Sequence, residues 1–211
     1  MNYNYIAIEG NIGSGKTSLA KMIAKEYNAK LILERFADNS FLPKFYENPR
    51  QYAFPLEMSF LADRYQQLRE QVSSPDLFKS FTIADYFINK SLIFARKTLQ
   101  TDEYSLYSRL FNIINSSLPQ PELIIYLYAT VEKVKQNIIN RGREYEQSIQ
   151  HSYLEKIQDG YFDHFKINKR SAILIVDTNN IDFVENKKDY LKISKLIHNK
   201  YPVGIHRINL G

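Results

Sequence analysis

The sequence predicts an α/β protein: a five-stranded parallel sheet with helices on both faces. Three observations carry this. Short unbroken apolar runs alternate with stretches of helical periodicity, a glycine-rich loop sits between the first run and the first helix, and 211 residues suffice for one well-buried core but are short for two. Strands that read as continuous apolar runs are buried on both faces, which helical crossovers between parallel strands bring about.

The first strand, residues 4–9, holds Tyr5-Ile6-Ala7-Ile8 and feeds a helix over about 16–27, where Leu19, Met22, Ile23 and Tyr27 recur at helical spacing. Leu31-Ile32-Leu33 forms a second strand ending at Glu34. An Asn-, Asp- and Pro-rich loop over 38–49 leads into a long helix over about 51–72, its start marked by Pro49. Phe81-Thr82-Ile83-Ala84 is the third strand and ends at Asp85; helices follow over about 89–99 and 102–117. Leu123-Ile124-Ile125-Tyr126-Leu127 is the fourth strand and a helix over about 131–140 comes next. A helix over about 152–165, the fifth strand Ala172-Ile173-Leu174-Ile175-Val176 and a last helix over about 183–200 complete the pattern. Residues 1–200 read as one domain, and YPVGIHRINLG, residues 201–211, reads as a tail of connecting or docking character.

Gly10, Asn11, Ile12, Gly13, Ser14, Gly15, Lys16 and Thr17 spell GNIGSGKT, followed by Ser18. Between a strand and a helix, GxxxxGK[ST] is a phosphate-binding loop. Its backbone N–H groups and the helix N-terminus surround a triphosphate, Lys16 bridges the outer phosphates, and Thr17 holds Mg²⁺. ATP with Mg²⁺ is therefore the expected donor.

Composition narrows the rest. The chain has no cysteine, so disulfides and Cys-ligated zinc are excluded. No apolar stretch reaches membrane-span length and the N-terminus lacks a basic segment followed by an apolar one, so a cytoplasmic protein without a membrane partner is expected. The net charge of +5 comes from 28 basic and 23 acidic residues that are interspersed, with no aromatic-and-basic stripe, so nucleic acid is not expected as a partner.

Ligands of parallel sheets gather beyond the C-terminal strand ends. Glu34 and Asp85 lie there. Phosphorylating an alcohol needs a carboxylate to take the hydroxyl proton and a metal with cations to spread charge on the transferring group. Glu34 suits the first task, and Asp85 suits the second, beside Thr17; both could also simply cap strand ends. In RGREYE, Arg141 and Arg143 flank Gly142, and such a pair can fold over a triphosphate as a short lid, about 141–151. Basic residues opposing a helix macrodipole would read similarly.

These residues converge on a family. Over nearly its full length the chain resembles the deoxyribonucleoside kinases, most closely the bacterial deoxyguanosine kinase type. The resemblance rests on GNIGSGKTS, the glutamate of strand 2 followed by ADNSFL, FYENPRQYAF running into PLEMSFLADRYQQL, IADY with SLIFA, RGREYEQSI with SYLEK, and DTNNIDFV. It implies a three-layer P-loop kinase fold and a homodimer formed by the two helices between strands 3 and 4. It further implies Glu34 as the base on the deoxyribose 5′-hydroxyl and Tyr46 with Glu146 on the 3′-hydroxyl. Glu57 and Arg64 would then face the nucleobase from one side of the long helix, and Asp182 with Phe183 would contact the adenine of ATP.

Two departures matter. Where many members carry Asp/Glu-Arg-Ser after strand 3, this chain has Asp85-Tyr86-Phe87. Asp85 is the preferred acidic group, and Lys16, Arg141 and Arg143 are candidates for the missing arginine's work. Secondly, Glu57 stands where many members have glutamine, and Lys90 lies near a family aspartate. A carboxylate only accepts, whereas an amide also donates, so Glu57 with Lys90 or Arg64 complements the N–H and acceptor edge of guanine. Deoxyguanosine is the expected substrate, with deoxyadenosine or a broad purine range as the alternative. A thymidylate-type monophosphate kinase would need an arginine where Glu34 stands, and a P-loop binding module would not need Glu34, Tyr46, Glu57 and Glu146 together. Leu92, Ile93, Leu106, Leu110 and Ile114 fit either a dimer face or the core.

Overall fold

Side chains alternate between faces along a strand. In the computed structural model, which describes residues 2–35, 39–72 and 76–210, that alternation splits the core into two layers. From β1 (Tyr5–Gly10), β4 (Leu123–Tyr128) and β5 (Ala172–Asp177), one set (Ile6, Ile8, Ile125, Leu127, Leu174, Val176) packs on α1 (Lys16–Glu26) and α8 (Lys187–Ser194) through Leu19, Ile23 and Ile193. The opposite set (Ala7, Ile124, Tyr126, Ile173, Ile175) packs on α4 (Lys90–Thr98) and α7 (His151–Ile167) through Ile93, Ile157, Tyr161 and Phe165. A third cluster joins α3 (Pro49–Gln71) and α5 (Thr101–Asn115) to the sheet through Leu61, Leu68, Tyr107 and Phe111.

With β2 (Lys30–Ile32), β3 (Thr82–Ala84) and β6 (Gly204–Asn209), the sheet has six parallel strands in the order β2-β3-β1-β4-β5-β6. The expected count was five. The sixth comes from the stretch read as a tail: β6 pairs with β5 from Ala172↔Gly204 to Asp177↔Asn209. As an edge strand it buries neither face fully, and its sequence GIHRIN exposes Ile205 while half-burying His206, so its apolar residues follow no alternation. Two helices also differ. The 38–49 loop contains α2 (Phe41–Glu47), whose Pro43 lies in its first turn, where a missing N–H costs nothing. The last helix begins only at Lys187, because the Asp182 carboxylate accepts the N–H groups of Val184 and Glu185 and holds 182–186 in a turn. It ends in a 3₁₀ turn, Lys195–His198. Of the segment ADNSFL, Ala37 and Asp38 lie outside the described residues.

The order of the strands places β1 between β3 and β4, and it is here that the C-terminal ends become a site. Glu9, wholly buried near the end of β1, accepts the Phe87 N–H at 2.9 Å and the Tyr161 hydroxyl at 2.7 Å, tying β1 to the chain after β3 and to α7. Burial pushes the Glu9 carboxyl up to about 7, against the pull of Lys90 and Lys16. Removing the hydroxyl in Tyr161→Phe leaves this group short of a donor, and thermal or urea unfolding should show a loss of about 1–3 kcal/mol. An unchanged midpoint would mean that Glu9 does not depend on Tyr161.

Candidate active site

The phosphate-binding loop bends as its sequence demands. Gly13 and Gly15 hold φ of 83° and 86°, and a Cβ on them would meet the Val134 carbonyl and the Phe183 ring, each at 2.7 Å. Both positions are closed to other residues by backbone and by space. Asn11 anchors the loop by donating to the Leu154 carbonyl at 2.8 Å, and Asn137 on α6 (Val131–Arg141) donates to the Gly13 carbonyl at 2.9 Å. Ser14 Oγ is buried without a partner among the described residues. Lys16 donates to the Asn11 carbonyl at 3.3 Å; burial, with Lys90 nearby, lowers its pKa to about 8.

Asp85 links this loop to the acceptor side. Its Oδ2 accepts the Thr17 hydroxyl at 2.5 Å, and its Oδ1 accepts the Glu34 backbone N–H at 2.7 Å. Thr17 and Asp85 thus present oxygen ligands side by side, a set that fits Mg²⁺, which prefers one or two protein oxygens completed by water and phosphate. No group of three or more His, Cys, Asp or Glu suited to a metal occurs among the described residues.

Glu34 itself is held by two cations. Arg64 donates from Nε at 2.8 Å and Nη2 at 2.6 Å to Oε1, while Lys90 donates to Oε2 at 2.5 Å. Arg64 Nη1 also donates to Ser91 Oγ at 2.7 Å. Burial opposes the charge on Glu34, but Lys90 and Arg64 outweigh it and hold the carboxyl at about 2. The sequence reading placed Lys90 or Arg64 against the nucleobase; in this structure both meet Glu34. Arg64 commits three N–H groups, whereas Lys90 makes one hydrogen bond among the described residues.

Loop, carboxylates and cations line one cavity of about 610 Å³. Its far end is walled by Phe60, Phe94, Phe45 and Tyr153, with Arg64 4.8 Å over the Phe60 ring and Lys90 5.5 Å over that of Phe94. Glu57 reaches into it from α3 and accepts the Thr98 hydroxyl at 2.9 Å; burial pushes its pKa up to about 7. Tyr46 stacks on Tyr145 with ring centres 6.3 Å apart.

The segment read as a lid is built as a clasp. Both arginines converge on buried Glu146: Arg141 pairs with Oε2, and Arg143 with Oε1 at 3.1 Å. The residue expected at the sugar and those expected at the phosphates are thus bonded to one another. Phe183 packs over Gly15, while the Asp182 carboxylate serves its own turn, as an ordinary helix approach does.

Several lining residues carried no signal in the sequence. Lys133 donates to the carbonyls of Thr178, Asn179 and Ile181 at 3.2, 2.8 and 3.3 Å, shaping the loop that carries Phe183. Like Asn137 and Thr98, it reads as one more polar residue on an amphipathic helix. The aromatic run of α2 and α3 was visible, but not which rings face a cavity.

A nucleotide loop facing a carboxylate-bearing, aromatic-walled cavity across the ends of a parallel sheet defines a small-molecule phosphotransferase. The chain belongs to the deoxynucleoside kinase family, whose model matches residues 6–201. It is 40% identical over 195 residues to the deoxyguanosine kinase of Bacillus subtilis (strain 168), covering 90% of this chain and 94% of that protein. It is 29% identical over 182 residues to the deoxyadenosine kinase of Dictyostelium discoideum, covering 86% of this chain and 74% of that one. In fold it matches the deoxyadenosine kinase from M. mycoides with bound dATP, at a TM-score of 0.76 and 20% identity over 92% of this chain and 99% of that one. Membership makes the chain a kinase that moves phosphate from ATP to a nucleoside, and it sets aside the monophosphate-kinase and binding-module readings.

The paired cations make one test direct. Lys90→Met removes the charge on Oε2, so the Glu34 pKa rises. Followed by carboxyl ¹³C NMR, Glu34 of the variant should titrate about one pH unit or more above the value of about 2 that it has in the parent. An unchanged titration would show that Lys90 does not hold Glu34.

Proposed function

We propose that this enzyme phosphorylates the 5′-hydroxyl of deoxyguanosine, using ATP with Mg²⁺, in cytoplasmic nucleotide salvage. The observation that carries the choice of base is Glu57, a carboxylate lining a cavity that Lys90 also lines. Guanine offers two N–H donors to the first and an oxygen to the second, whereas adenine leaves each charge mismatched, at about 1–3 kcal/mol per group. The 40% identity to a deoxyguanosine kinase points the same way.

In this reading the base lies between Phe60 and Phe94, the sugar reaches Tyr46 and Glu146, and the 5′-hydroxyl meets Glu34. A carboxylate at about 2 is a weak base. It therefore orients the hydroxyl by accepting its hydrogen bond, and takes the proton late, as a loose phosphoryl transition state allows. Lys16, Arg141 and Arg143 spread charge on the transferring phosphoryl, the two arginines leaving Glu146 as the lid closes and Glu146 turning to the 3′-hydroxyl. Thr17 and Asp85 would hold Mg²⁺, which when bound would neutralise phosphate charge. Two copies pair through α4 and α5; on α5, Leu106 and Ile113 are exposed. No helix among the described residues is long and apolar enough to cross a membrane.

ADP release measured across the four deoxynucleosides and their monophosphates should place deoxyguanosine first and leave the monophosphates inert. Deoxyadenosine or deoxycytidine ahead would overturn the base assignment. Glu34→Gln should lower kcat by about 10²–10⁴ with ATP binding intact; a loss below about fivefold would remove Glu34 from the reaction.

A further inference from the structure

Unlike Glu34 and Glu146, Glu57 is paired with no cation among the described residues. Glu34 is bound by Arg64 and Lys90, Glu146 by Arg141 and Arg143, and Asp85 accepts from Thr17 and the Glu34 backbone. Glu57, 2% exposed, receives one side-chain hydrogen bond, from Thr98 at the C-terminal end of α4 to Oε1. Among the described residues none reaches Oε2. The Thr98 hydroxyl has a second possible acceptor, the Phe94 carbonyl at 3.1 Å, but a single proton serves one acceptor at a time, and an ionised carboxylate is the stronger.

Oε2 is therefore where a proton settles, and its presence changes what the cavity reads. Ionised, the carboxylate offers two acceptors, which match guanine N1–H and N2–H. Protonated, it offers one O–H and one acceptor, which match adenine N1 and N6–H. We propose that Thr98 is a positioning residue for base choice: its hydrogen bond holds Glu57 in the two-acceptor form and thereby sets the preference for guanine over adenine. The inference rests on the reading above that the base lies against Glu57.

The surroundings leave the two forms close in free energy. Burial disfavours the charge, while Arg64 on the same helix, Thr98 and Lys90 on α4 favour it, and Glu34 beyond β2 opposes it, so the carboxyl sits at about 7. The other titratable groups facing it are Tyr46 of α2, Tyr107 of α5 and Tyr153 of α7. Burial raises all three, so they stay neutral wherever Glu57 titrates, and Tyr107 donates only to the Glu57 backbone carbonyl, at 3.4 Å. Among the described residues, Thr98 is thus the one neutral side chain whose hydrogen bond separates the two forms.

The test is a competition assay with deoxyguanosine and deoxyadenosine together, reading the ratio of their kcat/KM values from about pH 5.5 to 8.5, a range that brackets the ordinary and shifted carboxyl. The ratio cancels titrations that both substrates share, at Lys16, the lid and the phosphates. In the parent enzyme the preference for deoxyguanosine should rise with pH, approaching tenfold per unit. Thr98→Val should lower the ratio about tenfold at every pH, which is one pKa unit, and Thr98→Ser should restore it. Glu57→Gln should flatten the dependence. A flat ratio in the parent, or a Thr98→Val ratio equal to the parent's with deoxyguanosine still preferred, would overturn this inference and leave the guanine reading standing. Deoxyadenosine ahead at every pH would overturn the guanine reading itself.

Discussion

A buried carboxylate between two cations organises this molecule. Glu34, Arg64 and Lys90 are each under a tenth exposed, and none could remain charged there alone. Their mutual need fixes three elements at once: the chain leaving β2, the middle of α3 and the first turn of α4. Removing one partner strands the others, a loss on the order of 3–5 kcal/mol. Mutual need also sets the chemistry, because an anion so strongly stabilised is always available as a hydrogen-bond acceptor and rarely as a proton sink.

From that triad the site extends in two directions through short polar links. Toward the donor, the Glu34 backbone N–H and the Thr17 hydroxyl share the Asp85 carboxylate, so that the acceptor position and the phosphate loop are joined by one residue. Toward the base, Arg64 and Lys90 lie over Phe60 and Phe94, and α3 carries Glu57 two turns before Arg64. Glu9 closes the arrangement by tying β1 to the chain after β3 and to α7. In the segment proposed as a lid, Arg141 and Arg143 are about one third exposed and bonded to buried Glu146.

Much of this was legible in the sequence because its causes are local. The phosphate loop is a backbone motif, the central strands are apolar runs, and Glu34 and Asp85 stand where strands end. What escaped depends on partners distant in the chain or on edges. Lys90 and Glu34 are 56 residues apart, and nothing in either neighbourhood says that they meet. β6 escaped because a half-buried edge strand needs no apolar face, and α2 because a first-turn proline reads as a loop. Lys133 and Asn137 sit on α6 among mostly exposed polar residues, and Thr98 ends α4 beside exposed Arg96, so their inward bonds leave no mark on composition. That Lys90 and Arg64 both meet Glu34 was not legible either, because their charge marks them for a ligand and for a distant carboxylate alike.

The central claim is that the acceptor hydroxyl lies at the Glu34 triad with the base at Glu57. A crystal structure with deoxyguanosine and a non-hydrolysable ATP analogue tests it most directly. The account predicts the 5′-oxygen within hydrogen-bond reach of the Glu34 carboxylate, and guanine N1 and N2 facing Glu57. A nucleoside bound the other way round, or a 5′-oxygen remote from Glu34 with the Arg64 and Lys90 pairs undisturbed, would contradict it.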